Sequence, residues 1–486
     1  MRSLLKHRSR ITSLITPALA AALLPACAVG PDYHPPQTET GGPSYSNAVH
    51  GAFSNKAIDV TWWQQFREPQ LSDLVERTVT RNWDLKAVEA NLREARALYL
   101  ESGLDLLPTV TARGSYNEQK RSVAALNNRA FVPRELKLYS TGFDASWELD
   151  FFGRVRRNGE SRGAEVEAQE ASYRDLMISL IAEVARNYFS LRGLQNQLAV
   201  AQKNAGNQAE TLKLTEARLE AGRGTELDTS RAKAQLDSTR ATVPRLESAI
   251  RQSIHRLGVL TGQLPGALMP TLLRSAPPVG MPSVVHIGSP ADLLRRRPDI
   301  RVAERALASA TAQIGVATAD LFPRVTFVGS ISLEGRTLSA VGAAGSESYS
   351  VGPRITWAAF DLGRVYARIK AADARAEASL AQYQQTVLNA LEETENALVS
   401  YNQQREEREL LAQATHASQR AHELAHLRFK DGITDFLTVL DAELRLLQDQ
   451  ERLALSETQT ATALVALYKA LGGGWENRVP AEQREN

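Results

Sequence analysis

Between Arg364 and Asp431 the chain runs for 68 residues without a glycine or a proline; Gly432 follows, then a second such run from Ile433 to Leu471. At about 1.5 Å of rise per residue the first run alone makes a helix roughly 100 Å long, several times the ordinary globular length. A long helix, one glycine-marked reversal and a returning helix describe an antiparallel helical hairpin too long for a compact enzyme. Within the first run the larger or small packing residues recur as Val365, Ile369, Ala372, Ala376, Leu380, Tyr383, Val387, Leu391, Thr394, Leu398 and Tyr401, a mean step of 3.6 residues. A period at the natural helix value predicts a nearly straight helix, whereas a filamentous coiled coil keeps a 3.5-residue seam.

The hairpin is one of two. Tyr139-Ser140, Gly142, Trp147 and Gly153-Arg154-Val155 recur 210 residues later as Tyr349-Ser350, Gly352, Trp357 and Gly363-Arg364-Val365, and Arg218 and Gly222 recur as Arg428 and Gly432. Asp84 to Pro108 and Asp299 to Pro323 are both steps of 24 residues. Spacing held over more than a hundred residues marks an internal tandem repeat. The expected organisation is repeat 1 over residues 61–263, a Pro- and Gly-rich linker over 264–290, repeat 2 over 291–475 and a tail over 476–486.

Each repeat opens with a helix, Leu85 to Leu104 and Ile300 to Ala319, stopped by a proline that begins a strand. Strand hairpins are expected over 108–150 and 323–360, with loops at 118–135 and 335–348. Val110, Ala112, Gly114 and Tyr116 alternate with polar residues, as do Tyr139, Thr141, Phe143, Ala145, Trp147 and Leu149; Val325 to Leu333 and Tyr349 to Trp357 repeat the pattern. Period-two runs of about ten residues are the signature of outer-membrane barrel strands, and Trp147 and Trp357 fall where an aromatic girdle lies. A soluble sandwich needs more strands than these four. Four strands also leave open edges in lipid, so the barrel must be shared between chains; two copies make eight strands, three make twelve and leave a lumen.

The start of the chain sets the compartment. Arg2, Lys6, Arg8 and Arg10 precede an apolar run, Ile11 to Leu24, and Leu24-Pro25-Ala26-Cys27 ends it. Residues 1–26 therefore read as a signal peptide of lipoprotein type, with Cys27, the one cysteine of the chain, as lipid anchor and 27–60 as an extended tail leaving it. The formal charge of +2, less four leader cations, leaves about −2 for the mature chain, so no nucleic-acid partner is indicated. No apolar run after the leader is long enough for a transmembrane helix.

Several motifs together resemble the TolC family of outer-membrane export channels, in particular its NodT-type lipoprotein branch. These are Cys27-Ala28-Val29-Gly30-Pro31-Asp32-Tyr33, Trp62-Trp63-Gln64-Gln65-Phe66, Leu294-Arg295-Arg296-Arg297-Pro298-Asp299-Ile300, and the stretch from Arg428-Phe429 through Gly432 to Phe436-Leu437-Thr438-Val439-Leu440-Asp441-Ala442. The resemblance spans essentially all of the mature chain. It implies an α+β membrane protein: a homotrimer with a shared twelve-strand β-barrel, four strands per chain, continuous with a periplasmic α-helical barrel. It further implies outer-membrane lipid and a palmitoylated Cys27 as surroundings, no other cofactor, and partners in a periplasmic adaptor protein and an inner-membrane RND transporter. Arg218, Leu219 and Gly222 with Arg428, Phe429 and Gly432 would form adaptor-contacting tips. Asp441 would face the constriction, with Asp228 in the matching gate region of repeat 1. The expected function is a passive exit duct for drugs or other small solutes; the alternative is the duct of a type I protein secretion system.

His422-Glu423-Leu424-Ala425-His426 points to another class. HExxH on a helix places two imidazoles one turn apart with a glutamate beside them, as in zinc metalloproteases. No third histidine follows in the metzincin spacing, and repeat 1 has Leu212 and Glu216 at the matching positions. The pattern carries no other catalytic constellation, so the chain is expected not to be an enzyme.

Overall fold

The computed structural model describes residues 28–37, 42, 44–48, 52–122, 124, 133–274 and 280–476. The leader, Cys27, part of the linker, part of the first strand loop and all but the first residue of the expected 476–486 tail lie outside the described residues. In chain order the elements are β1 (Phe53–Ser54), α1 (Pro69–Arg81), α2 (Trp83–Leu104), β2 (Thr109–Lys120), β3 (Glu135–Leu149), α3 (Arg154–Glu220), α4 (Glu226–Leu260), α5 (Met269–Leu272), β4 (Val285–His286), α6 (Pro290–Arg296), α7 (Pro298–Ala319), β5 (Arg324–Gly335), β6 (Glu347–Thr356), α8 (Leu362–Lys430) and α9 (Phe436–Ala470). Two compact units result, each taking segments from both halves of the sequence: Met1–Gln37, Leu92–Gln169 and Val302–Tyr383 in the first, Thr38–Asn91, Glu170–Arg301 and Gln384–Asn486 in the second.

The first unit holds a four-stranded antiparallel sheet in the order β2-β3-β5-β6. Its register puts Ala112, Phe143, Ile331 and Tyr349 in one cross-strand row and Thr111, Asp144, Ser330 and Ser350 in the next. Because side chains alternate along a strand, one face is largely apolar, with Thr141 and Glu347 at its end, and the other is largely polar. The apolar face is bare: Phe143, Ile331 and Tyr349 are 57, 61 and 81% exposed. Trp147 and Trp357 donate their indole N–H to the carbonyls of Leu106 and Leu321, 2.8 and 3.0 Å away, so each ring is fixed at the junction of strand and helix. The strands β2 and β3 run into the expected 118–135 loop, to Lys120 and Glu135, through polar and charged residues in β2 and through Glu135 and Lys137 in β3. Cross-strand ion pairs Lys120–Glu135 (2.8 Å) and Lys137–Glu118 (3.2 Å) sit where the sequence suggested only loop.

The segment after Cys27, expected as a tail, is docked. Val29 N–H donates to the Phe152 carbonyl at 3.1 Å, and Arg157 donates to the carbonyls of Val29 and Gly30 and to Asp32. Gly30 adopts φ +92°, and a Cβ there would lie 2.4 Å from the Gly315 Cα. The backbone therefore approaches a helix more closely than any side chain permits. In the second unit, Tyr45 is buried and the backbone amides of Ser46 and Asn47 cap Glu395. A two-residue parallel ladder, Phe53↔Val285 and Ser54↔His286, ties the early segment to the linker.

The long helices are continuous in both halves, although α3 contains Gly159, Gly163, Gly193 and Gly206 and α4 contains Pro244. One of these glycines has a packing cause: a Cβ on Gly193 would stand 1.9 Å from the Thr458 Oγ1 of α9, whereas nothing lies within 4 Å of Gly206. None of the described helices is long and apolar enough to cross a membrane. Gly193→Ala should destabilise the protein by about 1–3 kcal/mol through overpacking, and Gly206→Ala on the same helix should be neutral or stabilising by up to about 1 kcal/mol. Thermal unfolding of the two variants in detergent, followed by circular dichroism, checks the opposite signs.

Candidate functional site

Both helical hairpins reverse through the same backbone device. At the first, Gly222 has φ +70°, its N–H donates to the Leu219 carbonyl at 2.9 Å, and Arg223 N–H donates to the Arg218 carbonyl at 2.8 Å. At the second, Gly432 has φ +74°, with the corresponding bonds to Phe429 (3.0 Å) and from Ile433 to Arg428 (2.8 Å). These are Schellman caps, which satisfy helix-terminal carbonyls and need a left-handed residue that glycine supplies. The return helices start on caps that exchange the same two side chains. In α4 Thr225 is the N-cap and Asp228 closes a capping box, the hydroxyl donating to Asp228 Oδ2 at 2.7 Å; in α9 Asp435 is the N-cap and accepts the Thr438 N–H at 3.0 Å and its hydroxyl at 2.6 Å.

The reversals meet side by side. The Arg218 guanidinium stacks 4.0 Å from the Phe429 ring centroid and donates to the Phe429 carbonyl at 3.2 Å. Phe429 packs on Phe436 at 5.7 Å, inside an apolar cluster with Ala232, Ala425, Val439 and Leu440. Phe429, expected as a contact residue, is 5% exposed and so forms the core of this tip, not its docking face. Leu219, Leu227, Leu427, Ile433 and Leu437 remain exposed around it, as does Arg428.

Two of the sequence signatures act as joints within the second unit. Arg297, buried, grips Asp299 through two bonds (3.0 and 2.7 Å), Glu393 at 2.8 Å, and the Ala470 carbonyl at the end of α9 at 2.7 Å. At the related place in repeat 1, Asn82 donates to the Leu260 carbonyl at the end of α4, 2.9 Å away, while its own carbonyl oxygen accepts from the amides of Asp84 and Leu85. Each side chain thus caps an incoming helix and starts an outgoing one. A guanidinium at a helix C-terminus also meets the negative end of its dipole. In the early aromatic motif, Trp62 stacks on Tyr468 at 4.8 Å and donates to the Gly473 carbonyl at 3.3 Å.

Similarity to known proteins decides what this frame belongs to. The family model described as outer membrane efflux protein matches residues 74–263 and 290–473. The chain belongs to the outer membrane efflux protein family. It is 33% identical to nodulation protein T of Rhizobium leguminosarum bv. trifolii, over 96% of this chain and 98% of the relative. It is 30% identical to the toluene efflux pump outer membrane protein TtgC of Pseudomonas putida, over 95% and 96%. Among solved structures it superimposes on the outer-membrane channel OprN with a TM-score of 0.86, at 41% identity, over 92% of this chain and all of that one. The open state of the Neisseria gonorrhoeae MtrE outer membrane channel gives 0.81 at 28% identity, over 92% and 99%. The protein is thus an outer-membrane efflux channel of the NodT-type, TolC-like group.

Within an efflux protein of this family the expected site residues take unequal places. Asp228 is spent on its capping box. Asp441 is exposed on α9, six residues beyond the Asp435 cap. His422 and His426 lie one turn apart on α8, 6.2 Å between ring centroids, but among the described residues no group of three or more metal-binding side chains converges. The third ligand of a zinc peptidase is therefore not supplied there. Glu443, two residues from Asp441 and in sequence only a candidate third zinc ligand without its expected surrounding motif, is 8% exposed on α9, and burial pushes its carboxyl above the ordinary range. A carboxyl whose folded pKa is raised destabilises the fold while it is ionised, and that cost disappears as pH falls through the raised value. Glu443→Gln should accordingly be more stable than the parent at pH 8, with the gap closing towards pH 4.5, the ordinary glutamate value; melting temperatures across that range check it.

Proposed function

We propose that the chain assembles as a homotrimer, its three four-stranded sheets closing one twelve-strand barrel, and serves as the exit duct of a tripartite RND-type efflux pump. One observation carries the reading: the sheet presents an apolar face to its surroundings, and among the described residues β2 and β6 pair on one side only. Hydrocarbon tolerates neither an open strand edge nor an unpaired peptide group, so the edges must meet those of further chains. Three chains rather than two leave a lumen, as an efflux duct requires.

The paired reversals are then the periplasmic entrance. Leu219 and Arg428, with the turns at Gly222 and Gly432, offer the adaptor an exposed rim, while Arg218 and Phe429 hold the two turns together beneath it. Three copies of Asp441 near the axis form a ring of carboxylates that attracts cations and resists anions. Energy comes from the inner-membrane transporter, since the relatives are named as outer-membrane parts of efflux pumps. Covalent lipid on Cys27 anchors the strap that Arg157 grips.

In planar bilayers the purified protein is expected to conduct with a preference for cations, and Asp441→Ala should weaken that preference; absence of any pore in both forms overturns the duct reading. Intact-mass measurement of protein from membranes should show acylation that Cys27→Ser abolishes, leaving the melting temperature within about 1–2 °C.

A further inference from the structure

The histidine pair near the second reversal is used by none of the preceding chemistry. His422 and His426 project from the same face of α8 because residues four apart are neighbours on a helix. Their rings stand 6.2 Å apart between centroids and 52° from parallel, both partly buried and both reachable from solvent. Histidines one turn apart on a helix are spaced so that one nitrogen of each can ligate a common ion. The adjacent Glu423 is held away from that centre by Gln419 (3.3 Å) and Arg420 (3.2 Å) on its own helix. Ala425, between the histidines, is part of the apolar tip cluster, so the pair lies on the flank of the Phe429–Phe436 core.

We propose that His422 and His426 form a two-histidine site for a divalent transition-metal ion, with water completing its coordination. Paired imidazoles select Cu²⁺, Ni²⁺ and Zn²⁺ over the oxygen-seeking Mg²⁺ and Ca²⁺. The ligands must be neutral to bind, so affinity rises with pH as the imidazoles lose their protons. Repeat 1 has Leu212 and Glu216 in register, so each chain carries one such pair at its tip. A bound ion would link two successive turns of α8 six residues before the Gly432 reversal. The site is independent of the trimeric-duct reading and differs from a zinc peptidase, in which Glu423 and a third ligand are indispensable.

The test uses tag-free, full-length protein in detergent, titrated with Cu²⁺ against a chromophoric competitor and followed by electron paramagnetic resonance. One ion per chain, with a nitrogen pattern from two imidazoles, is expected. His422→Ala and His426→Ala should each weaken binding by about a hundredfold, because the second ligand acts at high effective concentration, and the Gln variants should do the same without loss of helix. Glu423→Gln should leave affinity and spectrum unchanged. Cu²⁺ that binds the single-histidine variants as tightly as the parent, that is lost with Glu423→Gln, or that does not bind the parent overturns the assignment.

Discussion

A peptide group that enters hydrocarbon must find its hydrogen bond inside the protein, and four strands per chain do not meet that demand alone. The sheet order β2-β3-β5-β6 joins the hairpins of the two repeats through β3 and β5, so duplication leaves two edges, not four. In the assembly proposed above, those edges are where further chains pair. A side chain on the apolar face can be lipid-exposed without penalty, but an unpaired row of N–H and C=O groups costs several kcal/mol for each member. The closest approach inside the sheet reflects the same demand for tight pairing: a Cβ on Gly142 of β3 would fall 2.1 Å from the Ile331 carbonyl oxygen. Glycine there lets two strands from different repeats pair as intimately as strands of one hairpin.

The helical part faces the complementary difficulty. Long helices satisfy their interiors automatically and leave orphan groups only at their ends. The chain spends its distinctive residues on those ends. Gly222 and Gly432 close the tips, and Gly262 and Gly472 cap the returning helices with the same pair of backbone bonds. Arg297 and Asn82 then take the last carbonyls of α9 and α4. The two repeats reach equivalent geometry with different chemistry, a charged fork in one and a neutral amide in the other. The forked cation is the more demanding choice, since buried charge must be paired on every side, and Asp299 and Glu393 supply that pairing.

Periodicity made most of this frame legible. The glycine- and proline-free run of repeat 2 fixed its hairpin to within a few residues, and the 210-residue spacing transferred the result to repeat 1, where five glycines within the helices and Pro244 obscure it. Alternation located the strands but shortened two of them, because Glu118, Lys120, Glu135 and Lys137 pair across the ladder without apolar contrast. The docking of residues 28–33 was illegible, since it depends on Gly30 and Gly315 meeting at close range, a contact between segments remote in sequence. The site was less readable than the fold. Phe429 and Asp228 were recognisable by position, yet burial under Arg218 and membership of a capping box are properties of three-dimensional neighbours.

The exchanged caps at the tips explain why motif position was a poor guide to role there. A threonine and an aspartate three residues apart can close a helix N-terminus in either order, so Thr225 with Asp228 and Asp435 with Thr438 are physically equivalent although neither position conserves its residue type between repeats. An acid at such a place is bound by its own helix before it can reach across to another. Beyond the first turn the caps no longer claim an acid: Asp441 lies exposed there, and Glu443, two residues on, is buried. The helix caps thereby separate the carboxylates near the second reversal into those that build the turn and those that do not.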